Sequence, residues 1–125
     1  MGEKELYGGL VRLHVLHHAS HEPVFGQGLM DELAHHGYRL SPGTLYPILH
    51  GLEKDGQLKS SVEKMGKTSR RTYVATAAGR KALRAAKVRV WELFRELFEE
   101  ELPHGLLEGA MRDRKSTREK GENSE

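Results

Sequence analysis

The chain contains no cysteine. Disulfides, thiolate metal sites and cysteine nucleophiles are therefore excluded, which fits a reducing compartment. It also lacks an apolar run near the roughly 20 residues that a membrane-crossing helix needs, and Met1 to Glu5 has none of the features of a secretory leader. The expected location is cytoplasmic, with no membrane contact. Neither sign of charge dominates: 20 Lys and Arg against 18 Asp and Glu leave a formal net charge of +2, so any nucleic-acid footprint must be local. There is no Gly-rich phosphate loop, nucleophile elbow or metalloprotease motif, and Glu99, Glu100 and Glu101 read as a polar helix end rather than an acid/base pair. The expectation is a protein that is not an enzyme and carries no cofactor. Its 125 residues, 37% of them hydrophobic, suffice for one small core if a partner chain shares the burial.

Against these absences, the stretch from Ser41 to Gly56 is informative. Ser41 is a good N-cap, Pro42 fits the first helical position, where no N–H partner is needed, and Gly56 suits a left-handed stop. On a 3.6-residue wheel Leu45, Ile48, Leu49 and Leu52 share an apolar face, while Gly43, Thr44, Pro47, His50 and Lys54 turn away. Gly43 and Gly51 keep the outer face slim, as insertion against a surface requires. Pro47 removes one helical hydrogen bond and bends the axis.

Leu58 to Val62 and Thr72 to Ala75 read as strands, and the polar segment from Glu63 to Arg71 reads as the hairpin tip between them. Lys59, Lys64, Lys67, Arg70 and Arg71 against the single Glu63 form the most one-sided charge cluster of the chain. A short helix followed by a basic hairpin is the winged helix-turn-helix arrangement, and the cluster suits phosphate contact through counterion release. A merely solvated hairpin is the competing reading.

These residues carry a resemblance. Ser41-Pro42-Gly43-Thr44-Leu45-Tyr46-Pro47, then Leu52-Glu53 and Gly56, then Arg71-Thr72-Tyr73 and Thr76-Ala77-Ala78-Gly79 resemble, in order and spacing, the signature of the PadR-like transcriptional regulators. The similarity runs over about three quarters of the chain, from Leu6 to the end of the last long helix. It implies a dimeric winged-helix repressor, in a family whose members often sense small aromatic or hydrophobic compounds. One departure is that the family's second helix usually opens with Gly then Tyr, whereas Gln27 follows Gly26 here.

The remaining elements complete a mostly α fold with a small β-hairpin wing. A first helix from Glu5 to about Ser20 is expected to bury Leu6, Leu10, Leu13 and Leu16, with Pro23 ending that element; a second, Gln27 to about His36, is expected to bury Leu29, Met30 and Leu33, with Gly37 as its stop. From Thr76, a predicted N-cap, to Leu102 there is room for a helix of about 26 residues and about 39 Å. Its Leu83, Ala86, Val90, Leu93, Phe94 and Leu97 form a stripe too long for the small head to cover, which points to a homodimer and hence to an inverted-repeat operator. The expected organisation is a DNA-binding domain over 1–75, a dimerisation helix over 76–110 and a disordered charged tail over 111–125.

Three sets of residues carry the functional expectations. On double-stranded DNA, Ser41, Thr44 and Tyr46 are assigned to phosphates, Gly43, Pro47 and His50 to base edges, and Lys64, Lys67, Arg70 and Arg71 to flanking phosphates or the minor groove. Trp91, Phe94 and Phe98 form an aromatic ridge that reads either as packing or as a flat site for a small aromatic effector at the dimer interface. His14, His17, His18 and His21 recur on the first helix at metal-ligand spacing, but His17 falls beside Leu10 and Leu13 and would be partly buried, His18 points elsewhere, no cysteine completes the set, and His35, His36, His50 and His104 are scattered, so no metal is assigned. A metal-responsive repressor using these histidines, or a winged-helix interaction module without DNA binding, is the alternative.

Overall fold

The computed structural model describes residues 3–101. The elements run α1 (Glu3–His21), β1 (Val24–Phe25), α2 (Gly26–His35), α3 (Pro42–Lys54), β2 (Leu58–Met65), β3 (Thr68–Ala75) and α4 (Ala77–Phe98). The strands form one antiparallel sheet in the order β1-β3-β2. The chain divides into two units, one up to Ala86 and one from Lys87, so the boundary falls inside α4. The expected tail over 111–125, and residues 102–110 of the expected long helix, lie outside the described residues. Among the described residues no helix is long and apolar enough to cross a membrane.

The first unit is built on one apolar core. Leu29 and Leu33 of α2, Leu45, Leu49 and Leu52 of α3, and Leu58, Tyr73 and Ala75 of the sheet bury their side chains together. Complete burial of one leucine stabilises by about 2 kcal/mol, so this cluster outweighs any single polar contact of the head. Helix α1 joins through Val11, Val15, Leu16 and Ala19. That corrects the sequence expectation: Leu6 is 58% and Leu10 40% exposed, because the face that meets the core is rotated toward the valines. His17, expected to be partly buried, is exposed, and His18 is half-buried instead.

Helices α2 and α3 stop in the same way. Tyr38 N–H donates to Leu33 O and Gly37 N–H to Ala34 O, while Gln57 N–H donates to Leu52 O and Gly56 N–H to Glu53 O. Each pair is a Schellman closure, and each needs the left-handed glycine found there, at φ +88 for Gly37 and φ +77 for Gly56. Ser41 stands at the N-cap of α3 in an extended conformation, but it caps through its backbone carbonyl only. Its hydroxyl points to Thr44 Oγ1 at 3.4 Å rather than to a backbone N–H.

The wing is longer and tighter than the sequence suggested. Strand β2 continues to Met65 and β3 begins at Thr68, so only Gly66 and Lys67 form the turn, with Gly66 at φ +67 as a type II′ hairpin requires. Lys64, Arg70 and Arg71 therefore lie in the ladder rather than in a loop. The opposite charges of Glu63 and Arg70 face each other across the two strands, which lets a polar segment pair that had read as a tip. Strand β1, only Val24 and Phe25, pairs with Tyr73 and Thr72; two residues are too few to show an alternation in sequence.

Thr76 caps α4 as expected: Gly79 N–H donates to its hydroxyl at 3.0 Å, and the hydroxyl donates to Gly56 O. Gly79 has no room for a side chain, since a Cβ there would stand 2.1 Å from Gln57 O. Arg80 donates to Ser20 O of α1 at 2.9 Å, and Leu83 packs on the core. The start of α4 thus belongs to the winged head.

Candidate nucleic-acid interface

Helix α3 is held by Leu45, Leu49 and Leu52 and leaves Pro42, Gly43, Pro47, His50, Gly51 and Lys54 exposed. Thr44 is half-buried at its start. Its one carboxylate does not join that outer face. Glu53 is turned to the wing, where its Oε2 accepts from the Ser60 backbone N–H at 3.1 Å and from the Ser60 hydroxyl. The Ser60 hydroxyl bond, with the Ser60 N–H and the nearby charges of Arg71 and His50, holds the Glu53 carboxyl below its ordinary pKa, although partial desolvation opposes them. An acidic group that would repel phosphate is thereby kept ionised but occupied.

Tyr46 is half-exposed and lies against the start of α2: a Cβ on Gly26 would come 2.4 Å from its hydroxyl. The tyrosine therefore packs on the Gly26 backbone as well as facing outward, and its ring lies 6.3 Å from that of His50.

Arg70 and Arg71, treated as a pair in the sequence reading, project from opposite faces of β3 by strand alternation. Arg71 shares the face of Tyr73, whose ring is in the core beside α3; its guanidinium donates to Ser60 Oγ at 3.0 Å and remains exposed. Arg70 donates to Glu63 Oε2 at 3.2 Å and lies 3.9 Å over the Phe25 ring. One arginine is thus adjacent to the α3 side and the other is engaged in tying β1 to the wing. Lys64 and Lys67 are exposed at the wing end. The Glu53–Ser60–Arg71 chain was not foreseen, and its only sequence signal is that Glu53 closes a helix just before a strand.

An open groove of about 800 Å³ lies beside this face, between α1 and the start of α3, lined among others by Tyr7, Val11, Tyr38, Gly43, Pro47 and Ile48. In the second unit, Trp91 and Phe94 stack with centroids 5.7 Å apart, and Phe94 and Phe98 lie 5.1 Å apart, so the three rings form one ridge. Val90, Leu93, Phe94 and Leu97 of the same helix are exposed.

The histidines divide differently from the sequence grouping. His17 and His21 contact each other, with ring centroids 4.6 Å apart. His14 and His18 meet His36 from the end of α2, and one ring nitrogen of each lies within 4.8 Å of the others. Burial holds His14 below its ordinary pKa, reinforced by His36, His18 and His17 and opposed by Glu32.

Comparison with known proteins accounts for this architecture. The pattern of the "Transcriptional regulator PadR-like family" matches residues 15–85. The transcriptional regulator Rv3488 of Mycobacterium tuberculosis is 50% identical over 94 residues, which cover 75% of this chain and 88% of that one. The crystal structure of a PadR family transcriptional regulator from Eggerthella lenta is 31% identical and superposes with a TM-score of 0.68, over 78% of this chain and 88% of that one. A Streptococcus transcriptional regulator shares the fold with a TM-score of 0.70 at 20% identity, over 80% of this chain and all of that one. The chain belongs to the PadR-like family of transcriptional regulators and is not an enzyme.

Proposed function

We propose that the protein is a cytoplasmic, homodimeric repressor that inserts α3 into the major groove of an inverted-repeat operator and is relieved by a small aromatic or hydrophobic effector. PadR-like regulators bind DNA. The observation that carries the reading for this chain is the outer face of α3, free of carboxylate because Glu53 is bound by Ser60, with Arg71 on the adjoining strand. In this reading Gly43, Pro47 and His50 face base edges, and Ser41, Thr44 and Tyr46 meet phosphates. Lys64, Lys67 and Arg71 hold the flanking backbone. Arg70 contributes less, since Glu63 and Phe25 already engage it.

The test is selection of duplexes from a random pool, followed by binding measured against salt. An inverted repeat is expected. Arg71→Ala should weaken every sequence alike and reduce the salt slope by about one, as the loss of one phosphate contact does. Arg70→Ala should change the slope less. Recovery of no duplex, or an unaltered slope for Arg71→Ala, sinks the reading in favour of an interaction module.

A further inference from the structure

We propose that His14, His18 and His36, with Glu32 beside them, form a binding site for a divalent transition-metal ion that ties α1 to the end of α2. His14, His18 and Glu32 reach the site from helices and His36 from the C-cap of α2. His14 and His18 are one turn apart on α1, and Glu32 and His36 are one turn apart at the end of α2, so two short rows face each other across the helix pair. One nitrogen from each imidazole lies within 4.8 Å of the other two. Glu32 Oε1 stands 3.4 Å from His36 Nε2 and 3.8 Å from His18 Nε2, which places a carboxylate beside two of the three imidazoles. The His14 and His36 rings stack at 4.8 Å.

His18 supplies an independent observation. Its Nε2 is shielded from solvent and makes no hydrogen bond. A desolvated polar atom without a hydrogen bond is costly, and a cation bound by the cluster would satisfy it. Bonds of about 2.0 Å in a tetrahedral shell put donor atoms about 3.3 Å apart, so the imidazoles must close by roughly 1.5 Å at most. Small side-chain rotations supply that, since His36 is exposed and stands at the C-cap of α2. Three imidazoles and a carboxylate, without sulfur, suit Zn²⁺, Co²⁺ or Ni²⁺ rather than Cu⁺ or Ca²⁺.

The position of the site gives it a second consequence. His36 begins the connector that runs through Tyr38, whose ring touches His14 at 5.4 Å, to Ser41 at the cap of α3. Fixing His36 against α1 restrains the segment that sets the angle of α3. Metal binding is therefore coupled to DNA affinity; this part rests on the proposed DNA reading, whereas the site itself does not.

Titration of the metal-free full chain with Co²⁺, followed by its visible absorption, tests the site without DNA. One equivalent per chain is expected, with the intense bands of a tetrahedral N/O shell and displacement by Zn²⁺. His36→Ala and His14→Ala should each weaken binding by about a hundredfold or more, and Glu32→Gln by about tenfold. His35→Ala and His17→Ala should leave it unchanged, with far-UV circular dichroism showing every variant folded. Absence of Co²⁺ binding, or binding that survives His36→Ala and is lost in His17→Ala, overturns the site. A second arm measures operator affinity with and without Zn²⁺: a shift of at least about fivefold that vanishes in His36→Ala supports the coupling, and no shift overturns it while leaving the site standing.

Discussion

Gly79 and Gly26 both lack room for a methyl group, yet substituting them should have different consequences. At Gly79 the obstacle is backbone, the carbonyl of Gln57, fixed by the Schellman turn that ends α3 and by its bond to Thr76 N–H. Neither partner can yield without separating α4 from the head. Gly79→Ala is expected to cost about 2 kcal/mol or more, lowering Tm by roughly 10 °C in a domain of this size. At Gly26 the obstacle is the far end of Tyr46, a side chain that can swing outward. Gly26→Ala should therefore cost less than about 1 kcal/mol while moving Tyr46 off its seat, so operator affinity falls more than stability does. Thermal unfolding and gel shift on the two variants, with Tyr46→Ala added to Gly26→Ala, separate the cases. If the double variant shows no coupling, Tyr46 is not the group displaced.

At the scale of elements, the head was legible wherever punctuation and period agreed. Pro42 and Gly56 bracketed α3, Gly37 ended α2, Thr76 opened α4, and each helix follows closely from those residues. What was hidden depends on which elements face one another. The buried face of α1 could not be chosen because Leu6, Leu10 and Leu13 offer an apolar row as good as Val11, Val15 and Ala19; packing on the sheet and α2 decides it. The extent of the wing was hidden because its pairing relies on Glu63 opposite Arg70 and on Gly66, not on an apolar alternation. The same limit separated His36 from His14 and His18, 22 and 18 positions earlier in the chain but adjacent across the helix pair.

Glu53 links two of these elements, α3 and β2, through a contact that titrates. Its folded pKa is depressed, first by the Ser60 hydroxyl, so the contact contributes in full above the ordinary carboxylate range and is lost as pH falls through the depressed value. Stability should thus decline below about pH 5, and Glu53→Gln should flatten that part of the profile. Thermal melts from neutral to acid pH measure this. An identical acid slope in Glu53→Gln would assign the decline to other carboxylates. Because the same bond keeps a negative charge off the outer face of α3, Ser60→Ala should also weaken DNA binding at neutral pH.

For the whole molecule, the question is what covers the apolar part of α4. The head has its own core, and Leu83 is the last of the stripe to pack on it. Beyond Ala86 the second unit carries Leu93 at 51% and Leu97 at 59% exposure, together with Val90 and Phe94, the helix face that the proposed homodimer would cover with a second copy of the chain. Leu93→Asp with Leu97→Asp should give a monomer in sedimentation velocity with the head still folded, and should weaken operator binding by about a hundredfold through lost avidity. A dimer that persists in this variant would move the interface elsewhere.

The ridge of Trp91, Phe94 and Phe98 lies on that same helix, and an effector acts only through a difference in its affinity for two states of the dimer. In the proposed dimer a planar guest stacked between subunits would provide such a difference, because it would occupy the interface that spaces the two α3 helices. Planar aromatic compounds should then quench Trp91 fluorescence and release the operator over the same concentration range. Trp91→Ala should retain the dimer and its DNA affinity while losing the response. Dissociation of the dimer in Trp91→Ala, with no aromatic compound perturbing the native chain, assigns the ridge to packing and makes the proposed histidine site the next place to test for a signal.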